Sequence, residues 1–393
     1  MNQAVEPLVR LASRVDAIEP FLIEPFYVME LMKQAQALEC AGRDIIHMSI
    51  GEPDFTAPEP VTHAAAEVLK RGVTQYTNAL GIHALREAIT QHYRDTFGLT
   101  VDPERIGGRV RGAAARRMAL VDNGGEVLMP DPCYQCNRHF VSAADGKPVL
   151  IASGPAERFQ LIAEHVEESW TDKTRGVLLA SPSNPTGTSI EPDELRRIVD
   201  KVRARRLHDR RRDLSGPELR REARLHTLLR RRRRHGEQLL EVLQHDRLAA
   251  RLACRAARDG QRRRKALAES VHLRVGARAA WALACFQPET LAIYEARRLE
   301  FKRRRDYIVP ALRSASACRT APFYVYADTT TVHPQLATAT RSRIRCSTTR
   351  AVVLVPGADF GFHAPERYIR LSYATAYSKL EEAVQRLSAL FSR

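Results

Sequence analysis

The stretch TRGVLLASPSNPTG, residues 174–187, decides how this chain is read. Its first half, 174–180, is an apolar run of strand length that breaks at once into a turn rich in Pro, Asn and Gly. A helix-forming segment follows at 191–205. Strand, tight turn and helix in that order make the repeating unit of an open α/β sheet. Upstream, EVLMP (126–130) and KPVLIA (147–152) are further buried strands, and 58–71 and 81–97 are amphipathic helices. The alternation predicts an open, mostly parallel, doubly wound sheet with helices on both faces. FYVMELMKQAQALECAG (26–42) has a helical pattern with Gly42 as its stop, and DIIHMSI (44–50) is a short strand. Beyond residue 288 the pattern changes. A long helix (288–311) precedes strands at 323–328, 352–355 and 368–372, and an amphipathic helix (379–391) closes a smaller α+β body.

At 393 residues the chain exceeds one compact core, which suggests two domains. The formal charge of +16 would ordinarily point to a polyanionic partner. Much of the excess, however, sits in a few Arg-rich blocks, such as 210–212, 230–234 and 262–265, so nucleic acid is not the expected partner. The N-terminus lacks the apolar core of a signal peptide, and no apolar run is long enough to span a bilayer, so a cytoplasmic location is expected. Seven irregularly spaced cysteines read as reduced thiols. Cys133 and Cys136 form a CxxC pair without the two further ligands that zinc would need, so no metal is expected.

Three motifs carry the functional reading: SIGEPDF (49–55), SPSNPTG (181–187) and IRLSYAT (369–375). In that order and spacing they resemble the class I/II pyridoxal-phosphate-dependent aminotransferases, the aspartate aminotransferase-like enzymes of fold type I. The resemblance implies a large doubly wound cofactor domain (46–290). It also implies an N-terminal arm that contributes to the small domain (1–45) and a small C-terminal domain (291–393). The implied reaction moves an amino group between an L-amino acid and a 2-oxo acid on pyridoxal 5'-phosphate, in a homodimer. By the same resemblance Arg370 grips the substrate α-carboxylate, for which a planar guanidinium is the matching fork. Asn184 donates to the cofactor's phenolic oxygen, and Tyr134 stacks on its ring, although Gln135 stands where the family commonly has proline. Gly51 lets the backbone approach the substrate carboxylate, and Tyr76 reaches the phosphate of the neighbouring subunit's cofactor. Taken alone, Asn184 also suits an ordinary turn, Tyr134 a core position and Arg370 a surface ion pair. A β-lyase or decarboxylating synthase of the same fold would keep the same residues.

Between residues 205 and 253 the chain departs from the family: it becomes Arg-rich where the cofactor's lysine and aspartate belong. Synonymous codons for 206–223, read one base later, spell an apolar strand ending in Asp-Glu-Ile-Tyr. The same shift across 235–253 spells the family's lysine motif and its Gly-Trp-Arg stretch. The opposite shift restores family-like segments over 313–322 and 342–351, and 107–118 is also displaced. A genuine nucleic-acid-binding insertion would add residues, whereas these blocks replace segments at nearly constant length. The reading is therefore a gene with compensating frame breaks. The chain as it stands has no lysine after a Ser-Phe-Ser motif. It is expected neither to complete its central sheet nor to transaminate, and an inactive product with a polyanion-binding basic segment is the rival reading.

Overall fold

The three strands that precede the residue-180 turn form one sheet. The computed structural model describes residues 27–73, 76–77, 81–107, 121, 123–210, 253–254, 274–275, 281–313, 317–320, 323–330 and 351–391. In chain order the elements are α1 (Tyr27–Cys40), β1 (Ile46–His47), α2 (Glu59–Lys70), β2 (Tyr76–Thr77), α3 (His83–Phe97), β3 (Ile106–Gly107), β4 (Glu126–Asp131), α4 (Cys136–Ser142), β5 (Lys147–Ala152), α5 (Ala163–Glu168), β6 (Thr174–Val177) and α6 (Pro192–Arg210). There follow β7 (Ala253–Cys254), β8 (Arg274–Val275), α7 (Pro288–Arg313), β9 (Ala317–Thr320), β10 (Tyr324–Asp328), β11 (Val352–Val353), β12 (Val355–Pro356), β13 (Tyr368–Ser372) and α8 (Tyr377–Phe391).

Strands β5, β4 and β6 lie side by side in that order, all parallel. The central strand, β4, is buried at all six residues, as a strand covered on both faces must be. Alternation sends its side chains both ways. Leu128 packs with Ala163 and Val166 of α5 and Ile198 of α6. Val127 and Met129 pack on the opposite side with Val141 of α4. The described part of the sheet thus carries helices on both faces.

The C-terminal strands make a second, antiparallel sheet in the order β12-β13-β10-β9. Its core draws Tyr294, Phe301 and Ile308 from α7, Val325 from β10, Leu371 from β13 and Leu380 and Leu387 from α8. Ile46 and Met48, near β1, and Val61 of α2 enter the same cluster, so the segment leading into Gly51 is anchored in this core.

Several bounds differ from the sequence reading for local reasons. Helix α6 runs on to Arg210, because RRLHDR holds neither Gly nor Pro and is composed mostly of adequate helix formers. The strand expected at 352–355 divides: β11 pairs in parallel with β1, and β12 turns to pair antiparallel with β13. Gly42 takes φ +82° just after α1, the left-handed stop expected of it. Most of the out-of-frame blocks, including 211–252, lie outside the described residues. Among the described residues no helix is long and apolar enough to cross a membrane, and no cluster of His, Cys, Asp and Glu could hold a metal.

Candidate active site

The turn at 181–187 closes β6 with its own hydrogen bonds. The Gly187 N–H donates to the Ser183 carbonyl at 2.7 Å, the Ser183 N–H to the Thr188 carbonyl at 2.9 Å, and the Ile190 N–H to Ser181 Oγ at 3.0 Å. Gly187 sits at φ +71°, where a side chain would be strained. The turn presents Asn184 at the carboxyl end of β6, the edge at which open α/β sheets bind ligands.

Arg370 comes to the same place from β13. Its Nη1 donates to Asn184 Oδ1 at 2.8 Å and its Nη2 to the Ser49 carbonyl at 2.6 Å. Three elements far apart in sequence therefore meet at one guanidinium. The side chain is buried, and its Nε–H has no partner. Two rings flank it: that of Tyr324 lies 4.2 Å from the guanidinium carbon and that of Phe360 4.6 Å. Burial pushes its pKa down from the ordinary value, while Tyr324, Asp359 and Tyr134 act in the opposite direction. A guanidinium stays cationic through such a shift. The result is a desolvated cation with spare N–H donors, the requirement for seating a carboxylate bidentately.

Gly51 follows Ser49 by two residues and belongs to the cluster for a reason the sequence did not reveal. A Cβ there would lie 2.3 Å from the Tyr324 hydroxyl, so the missing side chain makes room for that phenol. Tyr134 stands after β4, half-buried and electrostatically coupled to Arg370. Tyr76 lies on β2, opposite Val275 of β8, and its side chain falls outside the described residues.

The sequence reading passed over four members of this neighbourhood: the Ser49 carbonyl, Tyr324, Phe360 and Asp359. In sequence, Tyr324 is one residue of a strand, and no local signal marks the 357–363 loop. Asp359 is fully buried, and its Oδ1 accepts the Tyr27 N–H at 3.2 Å at the start of α1. Burial pushes its carboxyl up to about 6, against the pull of Arg370 and of the Tyr27 and Val28 N–H groups. Asp131, at the end of β4, holds the next residues of that loop. Its oxygens accept the N–H groups of Phe362 and His363 at 3.0–3.1 Å. A Cβ on Gly361 would fall 1.6 Å from Asp131 Oδ1, so this approach needs glycine.

These residues fit a substrate carboxylate and the phenolic oxygen of pyridoxal phosphate, since Arg370 occupies the Asn184 amide oxygen and leaves the NH2 to donate. They do not fit the covalent anchor. Every described lysine is on the surface or in a surface ion pair: Lys33, Lys70, Lys147, Lys201, Lys302 and Lys379 pair with carboxylates, and Lys173 is exposed. The positions that would encode the lysine in the shifted frame, 241–242, lie outside the described residues.

Comparison with known proteins identifies the family. The family described as aminotransferase class I and II matches residues 43–208. The valine–pyruvate aminotransferase of Mycobacterium tuberculosis is 30% identical over 388 residues, covering 93% of this chain and 96% of that protein. A (5-formylfuran-3-yl)methyl phosphate transaminase of Methanocaldococcus jannaschii is 37% identical over 171 residues, only 44% of its length. The chain likewise spans about half the length of several other curated relatives it matches. Among solved structures, an aminotransferase from M. tuberculosis superposes with a TM-score of 0.81 at 25% identity, over 98% of this chain and 99% of that one. The aspartate aminotransferase of Rhizobium meliloti does so at 0.79 and 26%, with the same coverage. With fold type I architecture and a full-length relative at this identity, the chain belongs to the class I and II aminotransferases.

Proposed function

We propose that this gene encodes a pyridoxal-phosphate-dependent aminotransferase that moves an amino group between an L-amino acid and a 2-oxo acid, as a cytoplasmic homodimer. The observation that carries the proposal is the buried Arg370 held by Asn184 and Ser49, with N–H groups to spare. Pyridoxal phosphate, when bound, supplies the electron sink for chemistry at the substrate's α-carbon. Arg370 fixes the α-carboxylate, Asn184 orients the cofactor through its NH2, and Tyr134 covers the ring. Gly51 lets the backbone approach the substrate carboxylate, and Tyr76 reaches the phosphate of the partner subunit's cofactor. The division at residues 46 and 290 into a cofactor domain and a small domain is part of the same proposal.

We further propose that the chain as it stands lacks the group that anchors the cofactor, and that the shifted frame supplies it. Two observations support this. The described lysines all lie at the surface, and the family match ends at residue 208, just inside the Arg-rich block. The rival is a non-catalytic product whose basic segment binds polyanions with strong salt dependence.

The test uses two genes, one encoding this chain and one with the frame restored over 206–275, 313–322 and 342–351. Both proteins are mixed with pyridoxal phosphate and screened with L-amino acids and 2-oxo acids. The restored protein is expected to show the visible absorbance of bound cofactor and to transfer amino groups, and this chain to do neither. Transfer by this chain would overturn the missing-anchor proposal. A restored protein that releases ammonia or carbon dioxide without transfer would make it a lyase or synthase instead. Resequencing the gene across codons 100–355 decides whether the frame breaks are real.

A further inference from the structure

We propose that the Tyr324 hydroxyl is a substrate contact: it donates a hydrogen bond to the carboxylate held by Arg370. The inference rests on the reading of Arg370 as a carboxylate clamp and adds a donor that this reading did not contain.

The sheet register brings the two residues together. In the antiparallel pair β10–β13, Tyr326 stands opposite Arg370 and Tyr324 opposite Ser372. Tyr324 and Arg370 are therefore diagonal neighbours on one face, within reach of a long side chain. The ring lies 4.2 Å from the guanidinium carbon, a contact that draws on cation–π attraction. The phenol then extends past the guanidinium to Gly51, where its oxygen comes so close that any Cβ would be displaced. It thus ends between the two residues that frame the carboxylate seat.

The bonding pattern supplies the rest of the argument. Arg370 commits one N–H each from Nη1 and Nη2 to the protein, and its Nε–H is unpaired. The half-buried Tyr324 hydroxyl makes no hydrogen bond among the described residues. A phenol beside a desolvated cation and a carboxylate seat, with its donor uncommitted, completes the seat: an ionised acceptor there takes two N–H groups and one O–H. A hydrogen bond to an ionised acceptor is stronger than one to a neutral carbonyl, so the hydroxyl sharpens preference for an acid over its amide.

The test is an NMR titration of the full chain with propionate, with propionamide as the uncharged control, independent of catalysis. Tyr324→Phe keeps the ring and removes the donor. It is expected to weaken propionate binding about tenfold or more, the lower end of the scale for a hydrogen bond to a charged group. Propionamide binding and the thermal midpoint should be unchanged. Arg370→Gln is expected to abolish propionate binding. If Arg370→Gln abolishes binding and Tyr324→Phe leaves it intact, the hydroxyl is no contact and the clamp stands. If Arg370→Gln has no effect, or neither the parent chain nor the frame-restored protein binds propionate, the clamp reading falls and this inference with it.

Discussion

At Gly51 a Cβ would compete with the hydroxyl of Tyr324 for the same space, and only glycine leaves room for the phenol. Gly51→Ala must push the ring off Arg370, because the neighbouring strand β10 is fixed in its sheet. The expected cost is roughly 1–3 kcal/mol, the range for overpacking a closed site. Urea unfolding of Gly51→Ala, Tyr324→Ala and the double variant checks it: the alanine at 51 should cost much less once the ring is gone, and strictly additive effects would refute the steric account. Asp359 gives a second test at this scale. Its carboxyl is raised from 3.8 to about 6 by burial, so the folded state holds a proton that the unfolded chain releases. The associated stability is complete below about 4 and is lost as pH rises through about 6. Asp359→Asn removes this dependence. Thermal melts from about pH 4 to about pH 7 should show the parent chain losing stability relative to the variant across that window, by on the order of 2 kcal/mol. Parallel profiles would mean that Asp359 titrates normally.

Elements reach the site through pinned loops, and the firmest pin is Arg304 of α7. It grips Asp54 bidentately at 2.7 and 3.1 Å, bonds Glu300 at 3.0 Å, and packs against Phe55 and Phe301. The Asp54 N–H also donates to the Ala374 carbonyl. The segment carrying Gly51 is thereby tied to both α7 and the end of β13. Arg304→Met should destabilise the fold by about 2 kcal/mol, less than breaking a fully buried pair because Asp54 keeps about a third of its side chain in water. A double-mutant cycle with Asp54→Asn, read from urea midpoints, should give a coupling above about 1 kcal/mol. No coupling would reduce the contact to packing. This level also separates what the sequence made legible from what it hid. β4, β5 and the 181–187 turn were readable because apolar runs and Pro/Gly punctuation are local signals. The meeting of Arg370 with Asn184 was accessible only as a resemblance, since nothing local joins residues 186 apart. Tyr324, Phe360 and Asp359 stayed hidden because register and loop packing, not composition, bring them to the guanidinium. Gly51 is marked by its motif, but its neighbour Tyr324 is contributed by β10 and carries no local signal.

For the whole molecule, the decisive feature is the outer edge of β6. Its inner edge is paired: the Leu178 N–H donates to the Leu128 carbonyl at 2.8 Å. By strand alternation the N–H groups of Val177 and Leu179 point the other way, where β6 has no partner strand among the described residues. Val177, Leu178 and Leu179 are only half-buried, whereas β4 is buried throughout. The segment after α6 should answer that edge. A strand, a crossover helix and a second parallel strand connect right-handedly and usually as neighbours, so a strand following α6 is expected to fall beside β6. Beyond Arg210 this chain offers RRDLSGPELR (211–220), which no two-sided buried strand accepts. The shifted frame offers an apolar run of strand length. Restoring the frame should therefore add a strand to β6 and bury the three apolar side chains, each worth up to about 1.5–3 kcal/mol when fully withdrawn from water. Hydrogen exchange makes the comparison directly. The Val177 and Leu179 amides should exchange much faster in this chain than in the restored protein, while the Leu178 amide, already bonded to β4, should differ far less. Equal protection of Val177 and Leu179 in the two proteins would mean that the edge is already satisfied, and the frame-break account of this molecule would lose its structural support.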